Sequence, residues 1–187
     1  MMMRWIPVAL ILAVTACSST PKMHYYQLPI SASNAVVSHQ SLPHPVWVEN
    51  VAVADYLAGT GVVYQSNDVQ YVIATSNRWA SPLDQQLQQA LVSNLSADLP
   101  GALVSSAPLG QQQDTLNVTV TGFHGRYDGR AVITGQWVLQ REGNTLKRSF
   151  TLVLPQPEDG YDPLVRTLAQ GWKQISTQIA NAIIQQG

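Results

Sequence analysis

Cysteine occurs once in the 187 residues, at Cys17, so no disulfide can close within one chain and packing alone must hold the fold. Charge is scarce as well. Asp, Glu, Lys and Arg make up 11% of the residues and the net charge is -1, against about 25% charged residues in ordinary soluble domains. No basic patch is present, which argues against nucleic acid as a partner. So weakly charged a surface offers little repulsion between copies, and a homo-oligomer is expected. Long apolar runs are missing too. The longest, residues 5–14, falls well short of the roughly 20 residues that a spanning helix needs, and Pro7 interrupts it. Also absent are a G-x-S-x-G elbow, an H-E-x-x-H pair, a P-loop and a G-x-G-x-x-G turn. Hydrophobic residues, at 45%, are nevertheless enough for a real core in one domain.

The N-terminus carries the clearest address. Arg4 supplies a positive flank, residues 5–14 a short apolar stretch, and Val14-Thr15-Ala16-Cys17 closes it with small residues. That is a secretory signal ending in a bacterial lipobox. Cleavage before Cys17 frees a thiol that takes a diacylglyceryl thioether and an amine that can then be acylated. Two or three chains hold far more firmly than one. Ser18 refines the sorting, because an aspartate there would favour the inner membrane; serine points to the outer membrane, with the body facing the periplasm. The expected layout is a signal peptide over 1–16, a lipidated tether over 17–24 and a domain over 25–187. From Ser18 to His24 the tether has seven residues, a reach of about 25 Å at full stretch.

Along the domain, residues 25–30 read as a strand and 31–45, rich in serine and proline, as a surface loop. Residues 46–53 form a second strand whose apolar parity slips between Val48 and Val51, so a bulge is expected near Glu49-Asn50. A glycine-containing turn over 55–61 leads into a hairpin, 61–65 and 69–74, around Ser66-Asn67-Asp68. Ser81 as cap, Pro82 in the first turn and Asp84 three residues after the cap predict a helix start. Leu83, Leu87, Leu91 and Leu95 then give it one apolar stripe, read as core, until Pro100-Gly101. A short edge strand over 102–105 precedes three alternating strands, one starting near Leu116, one containing Ile133, Trp137 and Leu139, and one containing Leu146, Phe150, Leu152 and Leu154. Tyr127-Asp128-Gly129-Arg130 and Glu142-Gly143-Asn144 turn between them, so this meander is antiparallel. Asp162 caps a last helix to about Gln185, with Leu164, Leu168, Trp172, Ile175, Ile179 and Ile183 on one face; Gly171 in its middle implies close approach to a neighbour. The sum is an α+β single domain, a largely antiparallel sheet packed by two main helices.

Candidate chemistry is thin. The histidines do not cluster: His24 lies in the tether, His39 and His44 in the proline-rich loop, and His124 at a strand end. His39 and His44 with an acid could form a metal site, and His124, Asp128 and a serine a triad, but His124 at a hairpin end is better read as structural. No catalytic residue, metal site or cofactor is therefore assigned. Asp55-Tyr56-Leu57 leaves two readings open. Tyr56 and Leu57 either pack inward from a structured turn or form an exposed partner contact.

The residues also resemble a known family. The lipobox, Tyr25-Tyr26-Gln27-Leu28-Pro29, Val51-Ala52-Val53-Ala54-Asp55-Tyr56-Leu57, Gly61-Val62-Val63-Tyr64-Gln65, Trp79-Ala80-Ser81-Pro82-Leu83, Asp114-Thr115-Leu116-Asn117-Val118-Thr119-Val120 and Gly125-Arg126-Tyr127-Asp128-Gly129 are similar to the PqiC (YmbA) family. These are auxiliary lipoproteins of paraquat-inducible membrane transport systems. The resemblance runs in order through nearly all of the mature chain. It implies a non-enzymatic outer-membrane component that works with a PqiB-like mammalian-cell-entry (MCE) protein and, indirectly, a PqiA-like inner-membrane protein in phospholipid traffic. Rival readings are an envelope hydrolase using His124, Asp128 or Asp55, and a passive structural lipoprotein.

Overall fold

The structure, a computed structural model, describes residues 21–29, 44–110 and 112–185. Cys17, Ser18 and nearly all of the expected 31–45 loop, His39 included, lie outside the described residues. The sheet is built around β6 (Asp114–Arg126), the longest strand described. One edge of β6 pairs antiparallel with β7 (Arg130–Arg141) along its whole length, and β7 pairs likewise with β8 (Asn144–Pro155). The predicted meander and its turns are thus present, with Gly129 (φ 73°) and Gly143 (φ 80°) supplying the left-handed backbone that tight hairpins need.

The other edge of β6 is shared. β2 (Val46–Val53) pairs parallel with Asp114 to Val120, slipping register between Val48 and Asn50 as the broken parity predicts. β3 (Gly61–Gln65) pairs parallel with Gly125 and Arg126 only. Between them the chain forms a 3-10 turn, Asp55–Leu57, that stands beside the unpaired stretch of β6. Beyond β3 come β4 (Tyr71–Trp79), antiparallel to it, and β1 (His24–Tyr26), parallel to the last residues of β4. The edge strand β5 (Val104–Ser105) pairs parallel with the start of β2. The fold is α+β with a mixed sheet, whose two longest ladders are antiparallel.

Helices α1 (Leu83–Asp98) and α2 (Tyr161–Gln185) bury the leucine stripe of the first and the apolar face of the second. They lock to each other through polar groups: Asn94 Nδ2 donates to Ser176 Oγ at 3.1 Å, and Trp172 Nε1 to the Leu87 carbonyl at 3.0 Å. Trp172 sits edge-on to Phe123 and Phe150 of the sheet. A Cβ on Gly171 would run into the Ile133 side chain and lie 3.1 Å from Leu154 Cδ1, so helix and sheet do approach closely there.

Local expectations need four adjustments. Ser81 does not cap α1. Pro82 occupies the cap position without a side-chain bond, and Ser81 Oγ turns 3.4 Å toward Gln27 Oε1. The start is held instead by buried Gln86, whose Nε2 donates to the Ser81 carbonyl while its Oε1 accepts Leu28 N–H, both at 2.8 Å. A tertiary bond to the N-terminal segment thus replaces the local cap. Helix α2 begins one residue before Asp162, after Gly160 at φ 114°. The first strand is shorter than expected because Leu28 leaves the ladder to enter the core at 1% exposure. Strand β4 runs on to Trp79, since its final residues have β1 as a partner.

Candidate functional site

Strand directions sort the molecule into two ends. Gln65 of β3 is aligned with Arg126, so the β3–β4 turn (66–70) and the β6–β7 turn lie at one end. The start of α2 is brought there by Gln156, whose N–H donates to the Gly129 carbonyl and whose Nε2 donates to the Gly160 carbonyl. Because β1 runs parallel to β4, and β4 starts at this end, the chain entering β1 arrives from this end too. The β7–β8 turn and the last turn of α2 lie at the other, where Arg141 NH1 donates to the Ile183 carbonyl at 3.2 Å.

Of the two residues weighed as contacts, Leu57 is buried in the core at 1% exposure, the inward-packing alternative. Tyr56 is half-buried, and its hydroxyl donates at 2.8 Å to the Thr121 carbonyl, one of the β6 groups that neither β2 nor β3 reaches. This explains the turn: it closes the gap between two strands sharing one edge. Burial, reinforced by the neighbouring Tyr71, pushes the Tyr56 phenol up to about 12, so it stays a neutral donor. A bulge at Thr121, between Val120 and Gly122, shifts the parity of β6, turning Phe123 toward the helices and His124 toward the opposite face. There His124 meets Tyr71 edge-on at 5.1 Å, and Tyr71 packs against Tyr56 at 4.9 Å.

This cluster is structural rather than catalytic. His124 Nδ1 lies 3.0 Å from the Gly125 carbonyl, and burial lowers the imidazole pKa. Asp128 is held in a two-pronged ion pair by Arg126, at 2.9 and 2.7 Å, which lowers its pKa. Asp55 opens the 3-10 turn. Among the described residues no ion pair links His124 to Asp128 or Asp55. No group of three potential metal ligands occurs among the described residues either, and His44 faces acids elsewhere.

The two ends differ in chemistry. At the first, Val69, Tyr71, Val72 and Ile73 leave large apolar surface exposed along the β3–β4 hairpin, and Tyr127 does so on the next turn. Beside them a cavity of about 340 Å³ is lined by Tyr64, Arg126, Tyr127, Asp159, Tyr161 and Leu164. At the second end Asp114, 1% exposed, takes Nε and NH2 of Arg141 at 2.8 and 2.5 Å. His44 stands 3.8 Å from the other Asp114 oxygen and 3.4 Å from Glu142. Neither feature is a sequence motif, although each leaves a trace. Asp114 falls on the buried parity of Leu116, Val118 and Val120, and Val69 to Ile73 is apolar on both parities, as a half-buried strand is not.

Residues 26–180 match the family model described as the ABC-type transport auxiliary lipoprotein component. The chain is 50% identical over 183 residues to the intermembrane transport lipoprotein PqiC of Escherichia coli, covering 97% of this chain and 98% of that protein. This chain belongs to the PqiC family of transport auxiliary lipoproteins. The Shigella flexneri PqiC matches to the same extent. A crystal structure of an uncharacterized protein, 59% identical, superposes with a TM-score of 0.79 over 87% of this chain and 99% of that one. A Xanthomonas campestris protein, 16% identical with a TM-score of 0.64, shares the fold.

As a PqiC-family member, the chain is an auxiliary transport component and not an enzyme, since its relatives are named as transport lipoproteins. The hydrolase reading of His124, Asp128 and Asp55 is thereby set aside. No helix among the described residues is long and apolar enough to cross a membrane.

Proposed function

We propose that the chain is an outer-membrane lipoprotein whose body is held against the bilayer by acylated Cys17, after removal of residues 1–16, and serves as a docking component in phospholipid traffic. Ser18 directs it to the outer membrane. A PqiB-like MCE protein spanning the periplasm is the direct partner, a PqiA-like inner-membrane protein the indirect one, and outer-membrane phospholipid the cargo. The body acts as a homo-oligomer, a ring that receives the partner's distal end. The observation that carries this reading is the shortness of the link: six residues separate Cys17 from the first strand residue after it, His24. A body held within about 25 Å of its anchor cannot shuttle across a periplasm, so a long partner must come to it.

The experiment is membrane fractionation of wild type, Cys17→Ala and Ser18→Asp, followed by affinity capture of the wild type. Expected are outer-membrane localisation, loss of anchoring for Cys17→Ala, and a shift toward the inner membrane for Ser18→Asp. The captured wild type should bring down the PqiB-like protein with phospholipid. Retention of Cys17→Ala in the outer membrane with transport intact sinks the anchor. Capture of neither partner nor lipid leaves only the passive brace.

A further inference from the structure

We propose that the tip of the β3–β4 hairpin is a second, non-covalent contact with the lipid surface that carries the Cys17 anchor; the inference rests on the anchoring reading above. Val69 is 84% exposed, with Val72 and Ile73 about half exposed beside it at 48% and 50%. Among the described residues nothing covers these exposed faces. Strand β1 reaches β4 only from Asn77 to Trp79, which leaves the outer edge of Tyr71 to Ser76 unpaired among the described residues. One charge, Asp68, stands in the turn itself. The turn's polar groups are largely satisfied from within: Ser66 N–H donates to the Gln70 carbonyl at 2.9 Å, and Val69 N–H to Asn67 Oδ1 at 3.1 Å. A loop with its amides paired can enter a medium poor in water at lower cost. On the neighbouring turn, Tyr127 and Arg130 are more than half exposed and offer side chains suited to a headgroup layer.

The tether says which occupant to expect. His24 pairs with Asn77, and parallel pairing makes the chain ahead of His24 point back toward the hairpin tip. From Asn77 to Tyr71 the strand spans about 20 Å, and the seven residues from Cys17 to His24 reach at most about 25 Å. At full stretch the tether is therefore long enough to bring the anchor level with the tip. With the acyl chains in a bilayer and the tether leaving in this direction, Val69 lies at the lipid surface. The tip acts as an orienting foot, which fixes which side of the body faces the periplasm.

The test uses the one-cysteine composition. Lipidation consumes Cys17, so Val69→Cys provides a single free thiol, and Asn144→Cys provides one on the turn at the opposite end. Each lipidated full-length mature protein, labelled with an environment-sensitive fluorophore, is reconstituted in phosphatidylethanolamine–phosphatidylglycerol vesicles containing acyl-brominated lipid. The expected result is quenching severalfold stronger at position 69 than at position 144. Intact mass measures the Cys17 modification independently. Equal quenching at both positions, with Cys17 modified, overturns the foot alone. Shielding at position 69 that is insensitive to brominated lipid and lost on dilution assigns the tip to a second copy and also overturns it. An unmodified Cys17 overturns the anchoring reading and this inference together.

Discussion

The two ends of the sheet solve opposite problems. At the far end a carboxylate is buried, and two side chains approach it: Arg141 supplies a forked pair while also reaching the last turn of α2, and His44, just before β2, stands 3.8 Å from the other oxygen. At the hairpin end apolar side chains face outward, and the ion pairs of Asp128 with Arg126 and Arg130 lie at the surface, where solvent weakens them. The difference teaches where this fold holds itself together and where it leaves surface for something else. Residues that hold the fold should be costly to change; residues left for a surface should be nearly free in isolation.

The sharpest way to break that contrast is Arg141→Ala. It leaves the buried Asp114 carboxylate without its fork and should cost about 3–5 kcal/mol, read from the urea midpoint at an unchanged m-value. A loss under about 1 kcal/mol would mean that the far end is hydrated and the contrast false. Smaller is the effect of Tyr56→Phe between the two ends. The Thr121 carbonyl loses its donor, and about 1 kcal/mol should go, with no change in circular dichroism.

His124 should change a slope rather than a level. Its folded pKa is below the ordinary value of 6.5, because burial disfavours the charged ring. Above 6.5 both states are neutral and His124 contributes no pH dependence. As pH falls below 6.5 the unfolded chain takes up the proton first, so stability is lost until the lower folded pKa is passed. Midpoints measured from pH 7.5 down to pH 5 should fall less steeply for His124→Gln than for the wild type. Least costly is Val69→Asp at the hairpin tip, expected to move the midpoint by less than about 0.5 kcal/mol. A large loss there would show that the exposed apolar run serves the chain's own core.

Much of the fold was legible locally. The leucines of α1 at every fourth position, the bulge near Asn50, the turns at Gly129 and Gly143, and the close approach at Gly171 each rest on a few neighbouring residues. Their physics is one of periodicity, backbone sterics and missing side chains. Ser81 misled because a cap motif is also local, while Gln86 draws its partners from the N-terminal segment, 58 residues away for Leu28. At the candidate site, the position of Tyr56 after an acid and before glycines marks it in the sequence. Its partners are not marked there, because Thr121 is 65 residues distant and Tyr71 reaches His124 only once β3 and β4 are in place.

What the sequence by itself determined is the set of elements, written in contiguous residues. Pairing was a tertiary decision. That β2 and β3 share one edge of β6, that β1 joins β4 in parallel, and that Asp114 finds Arg141 follow from contacts closed over dozens of residues, chosen by how the whole apolar face is buried. The direction from which the chain enters β1, the side of the exposed hairpin, belongs to that second class. A parallel strand pair sets it, and no stretch of sequence contains that pair.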